Sequence, residues 1–266
     1  MKINKAAPVA VFDSGVGGIG VLGELQKTLP NESFVYFGDS KNAPYGGKKS
    51  EEILKLVEEH AARLLEGAKA LVLACNTATA VAADTLRMQY KDTPIIGMEP
   101  ALKPAFLYAT QKKRGHVPTV LVLATPTTLA EQKFKAQLCR YRRDCRIIPL
   151  PAPHLVTLVE AGLARDAQTK STLKLLLAPY TGANTPDAVV LGCTHFPFAR
   201  DAISTVFGGA VPLFDGAGGT ARETARRLAA ADLLAPAGSS HTPRITLKCS
   251  DESKLPFFLE MLQSTS

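Results

Sequence analysis

Apolar residues in this chain follow two rhythms. Short unbroken runs, such as Val9-Ala10-Val11-Phe12 and Thr119-Val120-Leu121-Val122-Leu123, alternate with longer stretches in which apolar positions recur every three or four residues. An unbroken run suits a strand buried on both faces, and its alternation with helical periodicity predicts an α/β chain with mostly parallel strands. Strands are expected at 9–12, 33–37, 70–74, 94–98, 119–123, 146–150, 188–191, 211–214 and 244–248. Helices are expected at 50–66, 78–89, after Thr125, at 155–163 and at 170–178. In the first of these Ser50 is placed as N-cap, and Ile53, Leu56, Val57, His60 and Leu64 recur on one face.

The series of elements runs twice. A first strand opens each half, at Val9 and Thr119, and a cysteine closes an apolar run later in each, at Cys75 and Cys193. The order fits an internal duplication. It predicts two pseudo-symmetric α/β domains with sheets flanked by helices and the active site in the cleft between them. The first domain would span 1–98 and 212–266, and the second 99–211, with strand 211–214 and the tail returning to the first half. The Pro-, Gly- and Ser-bearing stretch 235–243 reads as a loop.

Composition narrows the class. At 266 residues, 46% hydrophobic and 21% charged, the chain can bury a full core and does not read as disordered. No apolar run approaches 18 residues and no signal sequence stands at the start, which predicts a cytoplasmic protein without membrane contact. Five cysteines, an odd number, argue against a disulfide framework, and Cys139 and Cys145 read as a surface helix end. The net charge of +7 is dispersed apart from Lys112-Lys113-Arg114 and the stretch from Arg140 to Arg146. With no Trp and little aromatic interleaving, nucleic acid is not expected as a partner.

The chemistry concentrates at strand ends. Cys75 and Cys193 stand at C-terminal mouths of buried strands, where open α/β sheets bind ligands. Asn76, Thr77 and Thr79 follow Cys75 in a helix-start setting that favours a thiolate. Cys193 is followed by Thr194 and His195, and a Cys-x-His at a strand end can share a proton. Two thiols in duplicated halves suit a reaction in which a proton leaves one face of a substrate and returns to the other. Two cysteines and a histidine could also ligate a metal, yet no metal-binding spacing accompanies them, so no metal is expected. Asp13-Ser14-Gly15-Val16-Gly17-Gly18 ends the first strand, with glycines for tight turns and close backbone approach to an anion. Asp13 there serves either proton handling or an N-cap. Asp39-Ser40-Lys41-Asn42-Ala43-Pro44-Tyr45-Gly46 is either a ligand loop or an ordinary turn cluster.

These motifs together resemble the cofactor-independent glutamate racemases of the aspartate/glutamate racemase superfamily, over nearly the whole chain. The likeness lies in Val11-Phe12-Asp13-Ser14-Gly15-Val16-Gly17-Gly18, Tyr36-Phe37-Gly38-Asp39, Pro44-Tyr45-Gly46, Ala74-Cys75-Asn76-Thr77-Ala78 and Gly192-Cys193-Thr194-His195-Phe196-Pro197. The resemblance implies racemisation of glutamate by two thiols without a cofactor, supplying D-glutamate for peptidoglycan. In it Cys75 acts on the D-enantiomer with Asp13, and Cys193 on the L-enantiomer with His195 and Glu160. Glu160 is drawn from the resemblance alone, since by itself it reads as a helix-surface acid. The substrate-binding set it implies is Asp13, Ser14, Pro44, Tyr45, Gly46, Cys75, Asn76, Thr77, Thr125, Thr128, Cys193, Thr194 and His195. It also implies a homodimer and, as in some members, a peptidoglycan precursor as activator. Where the family pattern has Ser and Tyr after Thr125 and Thr128, this chain has Glu131 and Phe134.

Other readings stand beside it. An aspartate racemase or another superfamily member would share the cysteine pair. A nucleotide-binding Rossmann module would use Gly15 to Gly20 and Asp39 as the ribose acid. A binding protein that had lost catalysis would not need both thiols, and both are present.

Overall fold

A computed structural model of the chain describes residues 4–111, 116–236 and 243–264. The basic run at 112–114, the first three residues and most of the loop expected at 235–243 lie outside the described residues. In chain order the first elements are β1 (Val9–Asp13), α1 (Ile19–Thr28), β2 (Phe34–Gly38), α2 (Ser50–Leu65), β3 (Ala70–Leu73), α3 (Asn76–Gln89) and β4 (Ile95–Gly97). There follow α4 (Leu102–Gln111), β5 (Thr119–Ala124), α5 (Pro126–Ala130), α6 (Gln132–Tyr141), β6 (Arg146–Pro151), α7 (Pro153–Glu160), α8 (Ala167–Leu177) and β7 (Ala188–Gly192). The chain continues through α9 (Arg200–Val206), β8 (Leu213–Asp215), α10 (Ala217–Ala230), β9 (Ile245–Cys249) and α11 (Leu255–Gln263).

The chain divides into two compact units. Unit 1 comprises Met1–Glu99 and Ala217–Ser266, and unit 2 comprises Pro100–Gly216. Unit 1 is built on a five-stranded sheet in the order β4-β3-β1-β2-β9, and every pairing is parallel. Unit 2 is built on a four-stranded sheet in the order β6-β5-β7-β8, again parallel throughout. The unbroken apolar runs are accounted for by burial on both faces. In β5, Leu121 and Leu123 pack towards α7, α8 and α9, while Val120 and Val122 pack towards α4 and α6. Period-two alternation therefore distributes one run between two cores.

Several expectations need correction. The strand at 211–214 does not return to the first half: β8 pairs with β7, and Val189 donates its N–H to the Pro212 carbonyl at 3.0 Å. The return comes at Ala217, not 212. A short apolar run looks the same whichever sheet it joins, and only its pairing distinguishes them. Ser50 is the first helical residue of α2, and the cap position is Lys49, with no side-chain capping bond. Cys145 is not at a surface: it is 1% exposed beside the start of β6, whereas Cys139 is exposed in α6. Burial, reinforced by the Asp187 charge, pushes the Cys145 thiol up to about 11. All five cysteines are free. No helix of the described residues is long and apolar enough to cross a membrane.

Candidate active site

In unit 1 the reactive residues come from the C-terminal ends of adjacent parallel strands. β1 lies between β2 and β3, so the turns after Asp13, Gly38 and Leu73 open at the same end of the sheet. Asp13 ends β1, is fully buried, and accepts the Gly15 N–H at 2.9 Å. It therefore organises the turn from its first residue, while the cap position of α1 belongs to Gly18. None of Gly15, Gly17 and Gly18 adopts a positive φ. Gly18 is needed for space instead: a Cβ there would lie 2.7 Å from the Asp13 Cβ and 3.0 Å from the Ala74 Cβ.

Cys75 is the N-cap of α3. Its sulfur accepts the Ala78 N–H at 3.4 Å and stands 3.5 Å from the Ser14 hydroxyl. A backbone N–H at a helix N-terminus stabilises negative charge on that sulfur. Asn76 and Thr77 follow, 3% and 2% exposed. Neither side-chain polar atom of Asn76 has a hydrogen-bond partner among the described residues. A buried amide of that kind loses about 1–3 kcal/mol per unmet group unless a ligand satisfies it. Tyr45 and Gly46 are buried while Pro44 is exposed. The Tyr45 ring packs in one cluster with Phe12, Cys75 and Ala78.

In unit 2 the corresponding residues follow β5 and β7, which run side by side with Ala124 opposite Gly192. Thr125 caps α5: its hydroxyl accepts the Thr128 N–H at 3.3 Å and donates to the Thr128 hydroxyl at 2.9 Å. Cys193 follows β7 directly, and its sulfur lies 3.6 Å from His195 Nδ1, with the Thr194 hydroxyl 3.5 Å from the same nitrogen. The other ring nitrogen, Nε2, meets Glu160 Oε1 at 2.6 Å. Burial opposes charge on this imidazole. Hydrogen bonds and charge from Cys193 and Glu160 outweigh it, so the His195 pKa stands well above its ordinary value. Sulfur, imidazole and carboxylate thus form a proton-handling chain with the carboxylate at the C-terminal end of α7. Glu160, which reads from sequence as a surface acid, has a side chain only 9% exposed. Phe134 is drawn into the apolar core of unit 2 with Ala105, Val120 and Val190.

The loop after β2 is organised by a residue whose role the sequence left open. Asp39 is fully buried and accepts Tyr45 Oη at 2.7 Å and Asn42 Nδ2 at 3.0 Å, with His60 Nε2 at 3.3 Å. Burial raises its pKa, but bonds from His60, Tyr45, Ser250 and Asn42 prevail and hold the carboxyl at about 2. With its oxygens so engaged, Asp39 does not offer a ribose a free carboxylate, which removes the main support for the nucleotide-binding reading. His60 was legible only as one member of an apolar helical stripe, and a polar ring in such a stripe was the one signal of its contact. No group of three or more His, Cys, Asp or Glu among the described residues is arranged to hold a metal ion.

The family model for Asp/Glu/Hydantoin racemase matches residues 33–224. A glutamate racemase of Clostridium perfringens is 46% identical over 225 residues, which cover 84% of each chain. A crystal structure of Escherichia coli glutamate racemase, in complex with L-glutamate and the activator UDP-MurNAc-Ala, superposes with a TM-score of 0.81 at 30% identity, covering 98% of this chain and 96% of that one. A Francisella tularensis glutamate racemase in complex with D-glutamate gives 0.80 at 27% identity, covering 98% and 94%.

Proposed function

Because the chain belongs to the Asp/Glu/Hydantoin racemase family, we propose that it interconverts L- and D-glutamate by proton transfer at Cα between two thiols, supplying D-glutamate for peptidoglycan in the cytoplasm. The observation that carries this reading is the company each cysteine keeps: Cys75 under the N–H of Ala78, and Cys193 in line with His195 and Glu160.

From D-glutamate, the Cys75 thiolate takes the Cα proton and becomes a thiol, with Asp13 assisting. The Cys193 thiol then gives its proton to the opposite face and becomes a thiolate, with the His195 imidazolium beside it stabilising the new charge. The reverse direction starts from the Cys193 thiolate. No atom is gained or lost, and the enzyme ends with its proton on the other sulfur. An amino-acid Cα–H is a very weak acid, so fixed donors must stabilise the carbanion-like charge in a site that excludes water. Ser14, Tyr45, Gly46, Asn76, Thr77, Thr125, Thr128 and Thr194 supply hydroxyls, amides and backbone N–H groups of the kind that hold a dicarboxylate and an amine. The unpartnered amide of Asn76 fits this role well.

Incubating each glutamate enantiomer in deuterated water without added cofactor should incorporate deuterium at Cα as optical rotation decays. Absence of exchange with both glutamate and aspartate would overturn the racemase reading, and faster turnover of aspartate would assign the substrate differently. Cys75→Ser and Cys193→Ser should each lose turnover while keeping the wild-type circular dichroism spectrum.

Two partners belong to the same proposal: a second copy of the chain, and a cell-wall precursor as activator. For the activator, unit 1 offers an open cavity of about 400 Å³ whose lining includes Arg87, Lys91 and Arg227 beside Asp92, with Arg87 and Arg227 also paired to Asp84 and Glu223; the excess of cations there suits a sugar-nucleotide diphosphate. Racemisation rates with and without a UDP-linked muramoyl peptide, in wild type and Arg87→Ala, test it; equal rates throughout would exclude activation at this cavity.

A further inference from the structure

The wall beside Cys75 is formed partly by an irregular loop, 39–47, whose backbone makes only two short turns, one closed by the Asn42 N–H on the Asp39 carbonyl at 3.1 Å and one at Tyr45–Gly47. A loop without ladder hydrogen bonds must be held by side chains. Asp39 is the group on which this one converges. Within the loop, Tyr45 and Asn42 donate to it. From outside, two separate elements reach Asp39 and the backbone on either side of it. His60, on α2, brings Nε2 to 3.3 Å. Its ring is fixed by Phe12 and Phe37, whose centroids lie 5.7 and 4.7 Å away. Ser250, just past β9, accepts the Lys41 N–H at 2.9 Å with its hydroxyl and helps hold the Asp39 carboxyl low. Its own N–H donates to the Gly38 carbonyl at 3.0 Å.

The far end of this network is at the reactive residues. The Tyr45 phenol is pushed up by burial first and by Asp39 next, and it also feels the charges of Cys75 and Asp13. Tyr45 is thus tied to Asp39 by its hydroxyl while its ring packs in the Cys75 cluster. A shift of Asp39 moves that ring, and with it the Tyr45–Gly46 backbone. Packing alone does not call for this arrangement, because a buried carboxylate adds stability only when all its partners are in place. Its return is directional: it fixes one loop conformation.

We propose that His60 and Ser250 are positioning residues for substrate binding, His60 acting through Asp39 and Ser250 through the Gly38 and Lys41 backbone on either side of it, which together hold the Tyr45–Gly46 segment against the Cys75 side of the site. Neither touches the substrate. The idea rests on the glutamate racemase reading for its substrate, but the loop itself can be observed without turnover.

The test compares His60→Leu, which fills the space without a donor, with His60→Gln, which restores one, and adds Ser250→Ala from the opposite side. His60→Leu should raise KM for both enantiomers about tenfold, the scale of one lost hydrogen bond to a charged group, with kcat within twofold. Ser250→Ala should raise KM in the same direction, and His60→Gln should stay within threefold of wild type. Amide hydrogen exchange should quicken at 39–47 in His60→Leu while β1 and β3 keep their protection. Unchanged KM in both His60→Leu and Ser250→Ala, or a fall in kcat at constant KM, would overturn the proposal. If wild type failed to racemise glutamate, the exchange experiment would still decide whether His60 holds the loop. Exchange at 39–47 equal to wild type in His60→Leu would reject it on that measure as well.

Discussion

His195 carries its proton between a sulfur 3.6 Å from one ring nitrogen and a carboxylate oxygen 2.6 Å from the other. Its raised pKa means that the charged ring is favoured in the folded protein. Such a group contributes stability in full below the ordinary imidazole range, and that contribution is lost as pH rises through the raised value. Glu160→Gln removes one of the anions that hold the proton, so the loss should move to lower pH. The alkaline limb of the pH–rate profile should move with it. We expect kcat/KM to fall about 10- to 100-fold, the lower part of the range for general acid–base assistance. Enantiomers have equal free energies, so the fall must be the same in both directions. The asymmetry should appear instead in the primary isotope effect, larger with α-deuterated L-glutamate than with the D form. Equal isotope effects would show that Glu160 does not serve the Cys193 side. Of these residues Cys193 and His195 were legible in sequence from their spacing. Glu160 came only from the family resemblance, because nothing local distinguishes an acid that turns inwards at the end of a helix from one that faces water.

At the level of elements, the strands were the most legible part of the chain. β1, β3, β5 and β7 are unbroken apolar runs because both faces of each sheet are covered, and burial on both sides leaves no polar alternation to confuse the reading. Three helices that begin on helix-breaking residues were not, although α5 and α7, which open on Pro126 and Pro153, were. α4 carries Pro104 in its first turn, α10 opens on Ala-Gly-Gly and α11 on Leu-Pro. There a proline costs little, since the first N–H groups have no partner within the helix, and packing supplies what propensity lacks. The C-terminal elements also support the site. Tyr36 donates its hydroxyl to the Gly15 carbonyl at 2.6 Å and packs edge-on against Phe258 of α11. Gly38 fits between them: a Cβ there would stand 2.5 Å from both the Gly15 carbonyl oxygen and the Phe258 ring. Gly38→Ala should therefore destabilise by about 1–3 kcal/mol, the usual cost of overpacking. Gly47→Ala, where the added carbon meets nothing within 4 Å, should change stability by less than about 0.5 kcal/mol. Denaturant titration of the two variants separates these outcomes, and equal midpoints would show that α11 yields easily.

For the whole molecule, charge and connectivity divide unevenly. Residues 100–216 hold 14 of the 31 basic residues but 7 of the 24 acidic ones, so the entire net charge of +7 belongs to unit 2. Unit 1 is neutral by the same count, and attraction of a dicarboxylate at long range would come from unit 2. Connectivity depends on contacts that no local pattern announces. Lys69, just before β3, is fully buried 2.5 Å from Glu32 and donates to the Lys5 carbonyl at 2.6 Å. Glu32 in turn accepts the Ala235 N–H at 2.8 Å, tying the returning C-terminal segment to the start of the sheet. By itself the sequence determined the α/β class, the strand positions and the two cysteines at strand ends, because burial pattern and side-chain chemistry are written residue by residue. Tertiary structure alone decided which sheet β8 joins, that the carboxylate of Glu160 is turned inwards to within 2.6 Å of His195, and that the Asp39 loop is held from α2 and from beyond β9. Those are contacts between residues far apart in the chain, and their partners exist only once the chain has folded.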